Sequence, residues 1–273
     1  MTTPSTDKLF TGPIPELYER YLVPMIFQPY AGDMAARVAE RRPSRVLEIA
    51  AGTGVVTRAM ARVLPEEAEL TITDLNAPML ARAEAAGVSG RVVQWRQADA
   101  MQLPFDDESF DLVVCQFGVM FFPDKPRAFA EARRVLQPGG TLLFNVWDRI
   151  EENEFANAVS RALAECFPES PPDFMARTPH GYHRRDVIER DLSVGGFATP
   201  PSFDTVGKRS RAESAQAPAV GFCQATPMRA ELEARGADAL QRATDYCEAA
   251  LRDKFGDGPI EGRISAHVIA VSA

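Results

Sequence analysis

With 273 residues, 45% of them hydrophobic, the chain can bury a sizeable core, and its length suits one enlarged domain or a domain with a lid. A net charge of −8 and an isoelectric point near 5.1 exclude a large electrostatic footprint for nucleic acid, though not a local basic patch. Four cysteines, Cys115, Cys166, Cys223 and Cys247, form no CxxC pair, which argues against a zinc knuckle or a disulfide framework and suits a reducing cytoplasm.

The first residues, MTTPSTDK, lack the basic-then-apolar pattern of a signal peptide, and no apolar run approaches the roughly 20 residues needed to cross a bilayer. A soluble, cytoplasmic protein is expected. Residues 1–44 form an aromatic-rich helical flap with Phe10, Tyr18, Tyr21, Phe27 and Tyr30. Tyr18 and Tyr21, three apart, share one face of a helix that either packs on a sheet or closes over a ligand. Asp33 to Arg41 reads as a helix leading into the first strand.

Residues 45–147 alternate between strand and helix. Val46–Ile49 is an apolar strand ending in a small-residue turn, Ala50–Gly54, and a helix follows over Val55–Leu64, stopped by Pro65. Strand, tight turn and helix make a nucleotide-cofactor site, because small residues let the backbone approach a ligand at the helix N-terminus. Leu70–Thr73 is the second strand, and Asn76 caps the next helix with Pro78 in its first turn. Val92–Trp95 and the apolar, hence central, Leu112–Cys115 follow. Asp124 caps a helix reaching Leu136, and Pro138-Gly139-Gly140 turns into a fifth strand, Thr141–Val146. We expect an α/β fold: a doubly wound, mostly parallel, Rossmann-like sheet of seven strands with right-handed crossovers.

Residues 148–202 interrupt the alternation with helices over Glu152–Ala164 and Asp186–Val194, separated by a proline-rich break. They read as an inserted cap beside the ligand-binding edge of the sheet. Residues 203–273 complete the sheet, with Phe203–Val206 and Ile264–Val271 as strands and Met228–Arg235 and Ala237–Phe255 as helices.

Glu48, Asp74 and Asp99 stand at or just after the ends of successive strands. Asp74 follows Gly54 at the spacing of a carboxylate that binds ribose hydroxyls. Glu48 beside the turn would face the pyrophosphate of a nicotinamide dinucleotide, and two like charges ~6 Å apart at an effective dielectric constant of ~20 repel by roughly 3 kcal/mol. A ligand carrying a sulfonium and an ammonium would instead be held. The turn also departs from GxGxxG, having Thr57 at the last position, and no lysine follows to make a phosphate-gripping loop.

The segments LEIAAGTG (47–54), TDLNAPML (73–80), QADAMQLPF (97–105), FDLVVCQFGVMFFPD (110–124) and EARRVLQPGG (131–140), in this order and spacing, make the chain resemble class I S-adenosylmethionine-dependent methyltransferases. The resemblance is to those related to ubiquinone and menaquinone biosynthesis C-methyltransferases. It covers residues 10–147 well and the remainder loosely. It implies S-adenosylmethionine as cofactor and S-adenosylhomocysteine as product. Glu48, Ala50, Gly52 and Thr53 would surround the methionine part, and Asp74 the ribose, with Leu75 and Met79 packing the adenine. Asp99, Ala100 and Met101 would line the adenine edge, while Gln116 and Phe117 would floor the methyl-donor end. Tyr21, with Phe10 and Phe27, would close the pocket. Ala50 replaces the family's usual first glycine, at little cost unless φ is positive there. Phe117, Met120, Phe121 and Phe122 divide between core and site. Asp106, Asp107 and Glu108 read as a solvated turn, and Arg133 and Arg134 as an exposed helix face.

Methyl transfer from a sulfonium is an in-line displacement in which positioning and desolvation supply much of the catalysis. A base is needed only if the acceptor loses a proton. Of three histidines, His267 reads as structural, while His180 and His183, with Tyr182 between them, are the catalytic candidates in the cap. Trp147 and Asp148 are candidates for the acceptor pocket. Phe155, Phe167, Phe174, Met175 and Phe222 suit a small, partly apolar organic acceptor, with a C-, O- or N-nucleophile. Neither a metal, a nucleic acid nor a membrane span is expected, and a homodimer is a possible assembly. The competing readings are a nicotinamide-dependent oxidoreductase and a non-catalytic S-adenosylmethionine-binding module.

Overall fold

A computed structural model describes residues 5–273. Seven strands form one sheet: β1 (Arg45–Glu48), β2 (Glu69–Asp74), β3 (Val93–Gln97), β4 (Phe110–Gln116), β5 (Leu136–Trp147), β6 (Ser202–Ala212) and β7 (Ile260–Ser272). Their order is β3-β2-β1-β4-β5-β7-β6, with β7 antiparallel to both its neighbours and the other pairs parallel. The chain reverses its winding direction between β1 and β4. In such sheets ligands bind at that crevice, beyond the carboxyl ends of the strands.

Alternate residues of the central strands feed two separate cores, which is why these strands are apolar throughout. Val46, Leu112, Val114 and Leu143 pack on one face with Met34 and Val38 of α2 (Gln28–Glu40) and Val56 and Met60 of α3 (Val55–Val63). Leu47, Val113, Cys115, Leu142 and Phe144 point to the other face, where Phe129 of α5 (Lys125–Val135) and Phe155 of α6 (Glu154–Cys166) cover them. Each fully buried aliphatic side chain contributes about 1.5–3 kcal/mol. Between α3 and α5, α4 spans Ala77–Ala86.

The N-terminal segment is one helical run: α1 (Ile14–Leu17), a π-helical stretch over Tyr18–Phe27, then α2. The helix at Asp33–Arg41 thus begins earlier than the sequence suggests. The remaining helices are α7 (Phe174–Arg177), α8 (Arg185–Val194), α9 (Gln216–Gln224), α10 (Met228–Glu233) and α11 (Ala239–Phe255). The helices over the carboxyl edge come from both 148–201 and 213–259, with α11 packed on α6 and α9, and α9 packed on the π-helical stretch. Pro218 and Gly221 inside α9 read as breakers, which hid this helix in the sequence.

Three local readings are corrected. Strand β5 already pairs with β4 at Leu136, so Pro138–Gly140 form an irregularity within the strand rather than a turn before it. Asn76 occupies the N-cap position of α4 without capping it; its Oδ1 accepts the Phe10 N–H at 3.2 Å instead. Asp124 does cap α5, accepting the Arg127 N–H at 3.1 Å. Arg134 is not a free surface cation. It donates to the carbonyls of Phe105 and Leu103 and to Asp107 and Glu131, all at 2.8–2.9 Å, and so fixes the loop carrying Asp99 to Met101.

Candidate functional site: two cavities sharing an aromatic wall

The turn after β1 is a run of left-handed backbone. Ala50 has φ +55°, Gly52 +59° and Gly54 +82°. Alanine there is strained, a cost of order 1–3 kcal/mol. Ala50 also presses on its neighbour: a Cβ at Gly118 would lie 2.5 Å from Ala50 Cβ and 2.7 Å from Cys115 Sγ, so only glycine fits at 118. The turn aims an amide at the carboxyl end of β2. The Gly52 N–H donates to Asp74 Oδ2 at 2.8 Å, and Asp74 Oδ1 accepts the Asn76 N–H at 2.7 Å. Each oxygen of Asp74 keeps acceptor capacity on the cavity side. Burial pushes the Asp74 carboxyl above its usual range, and these backbone bonds pull it back.

The first cavity, about 750 Å³, opens above this turn. Ala50, Gly52, Asp74, Leu75, Met79, Asp99, Ala100, Met101, Gln116 and Phe117 all line it. Asp99 Oδ1 accepts the Met101 N–H at 2.9 Å, which holds the loop along one rim. Gln116 donates from Nε2 to the Phe27 carbonyl at 3.3 Å, while its Oε1 is buried with no partner. An orphaned acceptor on the wall and a carboxylate with spare lone pairs, held in place by the Gly52 amide, suit a ribonucleoside with a cationic side chain.

Four expected residues do not line this cavity, and of these Phe27 lines the adjoining one instead. Glu48 is 1% exposed, lies under the turn and accepts the Thr57 hydroxyl at 2.5 Å. Burial, with the nearby Asp74 charge adding, pushes its carboxyl up to about 8. Burial thus favours its neutral form before a ligand binds, and the carboxyl that lines the cavity is that of Asp74. Thr53 is also buried, with an unpartnered hydroxyl. Tyr21 sits off the wall with Arg20 over its ring, and Tyr18 takes the place expected for it. The reason is the π-helical stretch: with i→i+5 bonding, residues three apart no longer share a face. Tyr18, Leu22 and Ile26 do.

A second cavity of about 640 Å³ adjoins the first, and Phe10, Tyr18, Phe117 and Phe121 line both. Phe117 is itself left-handed, with φ +53°, and is held by Asn145 Oδ1, which accepts its N–H at 2.8 Å. Its ring stacks on Trp147 with centroids 3.8 Å apart and 8° between planes. Phe155, Phe174, Met175 and Phe222 line the second cavity, as does Trp147. Phe167 does not; its ring lies under Arg235 and Arg242.

Of the catalytic candidates, only His180 reaches a cavity. Its Nδ1 lies 2.9 Å from the Asp148 carbonyl oxygen. A carbonyl only accepts, so the proton is on Nδ1 and Nε2 is a bare acceptor. Burial lowers the His180 pKa to about 4. His183 turns back to bond the His180 carbonyl at 2.8 Å, and Tyr182 donates to Asp191 at 3.0 Å beneath α8; neither lines a cavity. The Asp148 carboxylate also turns away, accepting from Ser265 at 3.0 Å. His267 bonds Thr205 at 2.9 Å on the sheet edge. Leu22, Ile26, Asn153, Thr226 and Ile264 also belong to this wall, and of these only Leu22 and Ile26 carry a local signal, their spacing by four from Tyr18.

Among the described residues, no cluster of three metal-ligating side chains is present, and no helix is long and apolar enough to cross a membrane. Fold and site define an α/β protein with a nucleoside-type pocket at the switch point of its sheet. Residues 47–144 match the family described as "Methyltransferase domain". The ubiquinone/menaquinone biosynthesis C-methyltransferase UbiE of Idiomarina loihiensis is 37% identical over 131 residues, 46% of this chain and 49% of that protein. The chain spans about half the length of the curated relatives it matches. YcgJ of Bacillus subtilis has TM-score 0.54 and 19% identity, covering 88% of this chain and 97% of its own. Haemonchus contortus phosphoethanolamine N-methyltransferase 2, solved with phosphomonomethylethanolamine and S-adenosylhomocysteine, has TM-score 0.55 and 18% identity, covering 94% and 56%. At such identities these two structures share the fold. Residues 47–144 thus match a methyltransferase domain, and the curated relatives that share this span are C-methyltransferases.

Proposed function

We propose that the protein transfers a methyl group from S-adenosylmethionine to a small organic acceptor. The observation that carries this reading is the pair of cavities meeting at one aromatic wall. An in-line displacement needs donor and acceptor on opposite sides of the transferred carbon, and the junction at Tyr18 and Phe117 is where the two would meet. When bound, S-adenosylmethionine supplies an already activated methyl group on a sulfonium.

The chain's own residues then position and desolvate. Asp74 would accept from the ribose hydroxyls, Leu75 and Met79 would pack the adenine, and Asp99, Ala100 and Met101 would border its edge. Gln116 Oε1 would take a proton donor from the amino-acid end. The aromatic wall excludes water, so the displacement proceeds with little solvent to reorganise.

All the residues that line the acceptor cavity, apart from Phe117 and Phe121, lie outside the matched span 47–144. The domain match therefore speaks for the donor, and the acceptor must be read from this chain's own cap. A methyl-transfer assay with radiolabelled S-adenosylmethionine over a panel of small aromatic and aliphatic metabolites tests the reading. Transfer to at least one acceptor is expected. Tight cofactor binding with no transfer to any member would instead support a non-catalytic binding module.

A further inference from the structure

We infer that the second cavity selects an uncharged, carbon-rich acceptor that offers one hydrogen-bond donor, and that Nε2 of His180 receives that bond. This rests on the methyl-transfer reading above and names the substrate class of the same site.

Charge comes first. No Asp, Glu, Lys or Arg lines this cavity among the described residues, whose walls are aromatic rings and aliphatic chains. A carboxylate, phosphate or ammonium brought here would lose its water with nothing to replace it, and burying an unpaired charge is prohibitive. The cavity thus differs from what a charged acceptor, such as the phosphomonomethylethanolamine bound by the Haemonchus enzyme, would require.

Hydrogen bonding comes second. Asn153, Thr226 and His180 bring side-chain polar groups to the wall, while the Tyr18 hydroxyl reaches toward Gly52 and so belongs to the first cavity, 3.9 Å from where a Gly52 Cβ would stand. Asn153 is spent: Nδ2 faces the carbonyls of Asp148, Arg149 and Ser265, and Oδ1 accepts the Ser265 N–H at 3.1 Å. Thr226 is spent too, donating to the Phe222 carbonyl at 2.8 Å and accepting the Met228 N–H at 3.2 Å. His180 is not. Its Nδ1 proton is committed to the Asp148 carbonyl, and Nε2 has no protein partner among the described residues. A ligand that fills the cavity covers this acceptor, and leaving it then without a donor is costly, so a ligand that supplies a hydroxyl or N–H is favoured over one that only accepts. A buried ring with its pKa near 4 stays neutral at physiological pH, which keeps Nε2 an acceptor. The ring lies against Trp147, with centroids 6.1 Å apart, and Trp147 stacks on Phe117 at the donor junction. A ligand bonded to Nε2 would therefore lie along the wall that faces the methyl donor.

The test is equilibrium dialysis of the full chain at neutral pH against three isosteric probes: 2-naphthol, 2-methoxynaphthalene and 2-naphthoate. We expect 2-naphthol to bind at least tenfold more tightly than either of the others. In H180L that preference over 2-methoxynaphthalene should vanish, and H180Q, whose amide oxygen accepts, should restore part of it. Retained S-adenosylhomocysteine affinity shows that each variant is folded. Equal binding of 2-naphthoate, equal binding of 2-methoxynaphthalene, a preference that survives H180L, or no binding of any probe would each overturn the inference. Loss of the proposed function reads out separately, as failure to bind S-adenosylmethionine while the naphthol preference stands.

Discussion

Strain and protonation, rather than surface charge, set the chemistry of individual residues here. Ala50 and Phe117 are both left-handed, and Gly118 lies in close contact with Ala50. G118A should therefore destabilise the protein by about 1–3 kcal/mol through overpacking. Because the nearest clash is with Ala50 Cβ, the double variant A50G/G118A should recover part of that loss; urea denaturation of the double-mutant cycle measures the coupling. Glu48 supplies a pH signature. Its pKa is raised to about 8 in the folded chain, so its contribution to stability is present below the ordinary carboxyl range and lost as pH rises through 8. Asp74 is shifted in the same direction. A cationic ligand favours the ionised carboxyl, so the affinity of wild type for S-adenosylmethionine relative to E48Q should rise between pH 6 and 8. Calorimetric titration of both proteins checks it, and their ratio cancels titration of the ligand's own amine.

At the scale of elements, the β-strands and the helices between them were legible because periodicity and breakers agree: the apolar runs, Pro65 and Asp124 fall where the chain turns. What could not be read was the N-terminal π-helical stretch. Its bonding alters which residues face inward, so Tyr18 rather than Tyr21 reaches the cavities, and no propensity encodes that shift. Helix α9 was hidden by Pro218 and Gly221, and with it went Thr226. Arg58 joins these parts. It donates to the Thr53 carbonyl at 2.7 Å and to Glu19 at 3.2 Å, tying the cofactor turn to the roof. Both partners are half-buried, and such pairs contribute about 1 kcal/mol or less. R58A should weaken cofactor binding by less than about tenfold, since 1.4 kcal/mol is a factor of ten, and should speed proteolytic cleavage near residues 14–27. Unchanged cleavage would show that the latch is not what holds the roof.

Over the whole molecule, legibility divides along the same line as the two cavities. The first cavity is built from strand ends of the sheet, where local sequence fixes position, and most of its wall can be named from motifs. Even there Glu48 was misplaced as a wall carboxylate, because motif spacing does not report depth of burial. The second cavity is assembled from residues as far apart as Phe10 and Ile264. Only the packed chain brings them together, and of His180, Tyr182 and His183 it selects one. The most direct measurement is isothermal titration of the full chain and of D74A with S-adenosylmethionine and with NAD. Wild type should bind one S-adenosylmethionine per chain and show no heat with NAD, and D74A should lose about 10–100-fold in affinity, since charged hydrogen bonds contribute about 1.5–3 kcal/mol each. Binding of NAD without S-adenosylmethionine, or an unchanged affinity in D74A, would contradict the assignment of the first cavity.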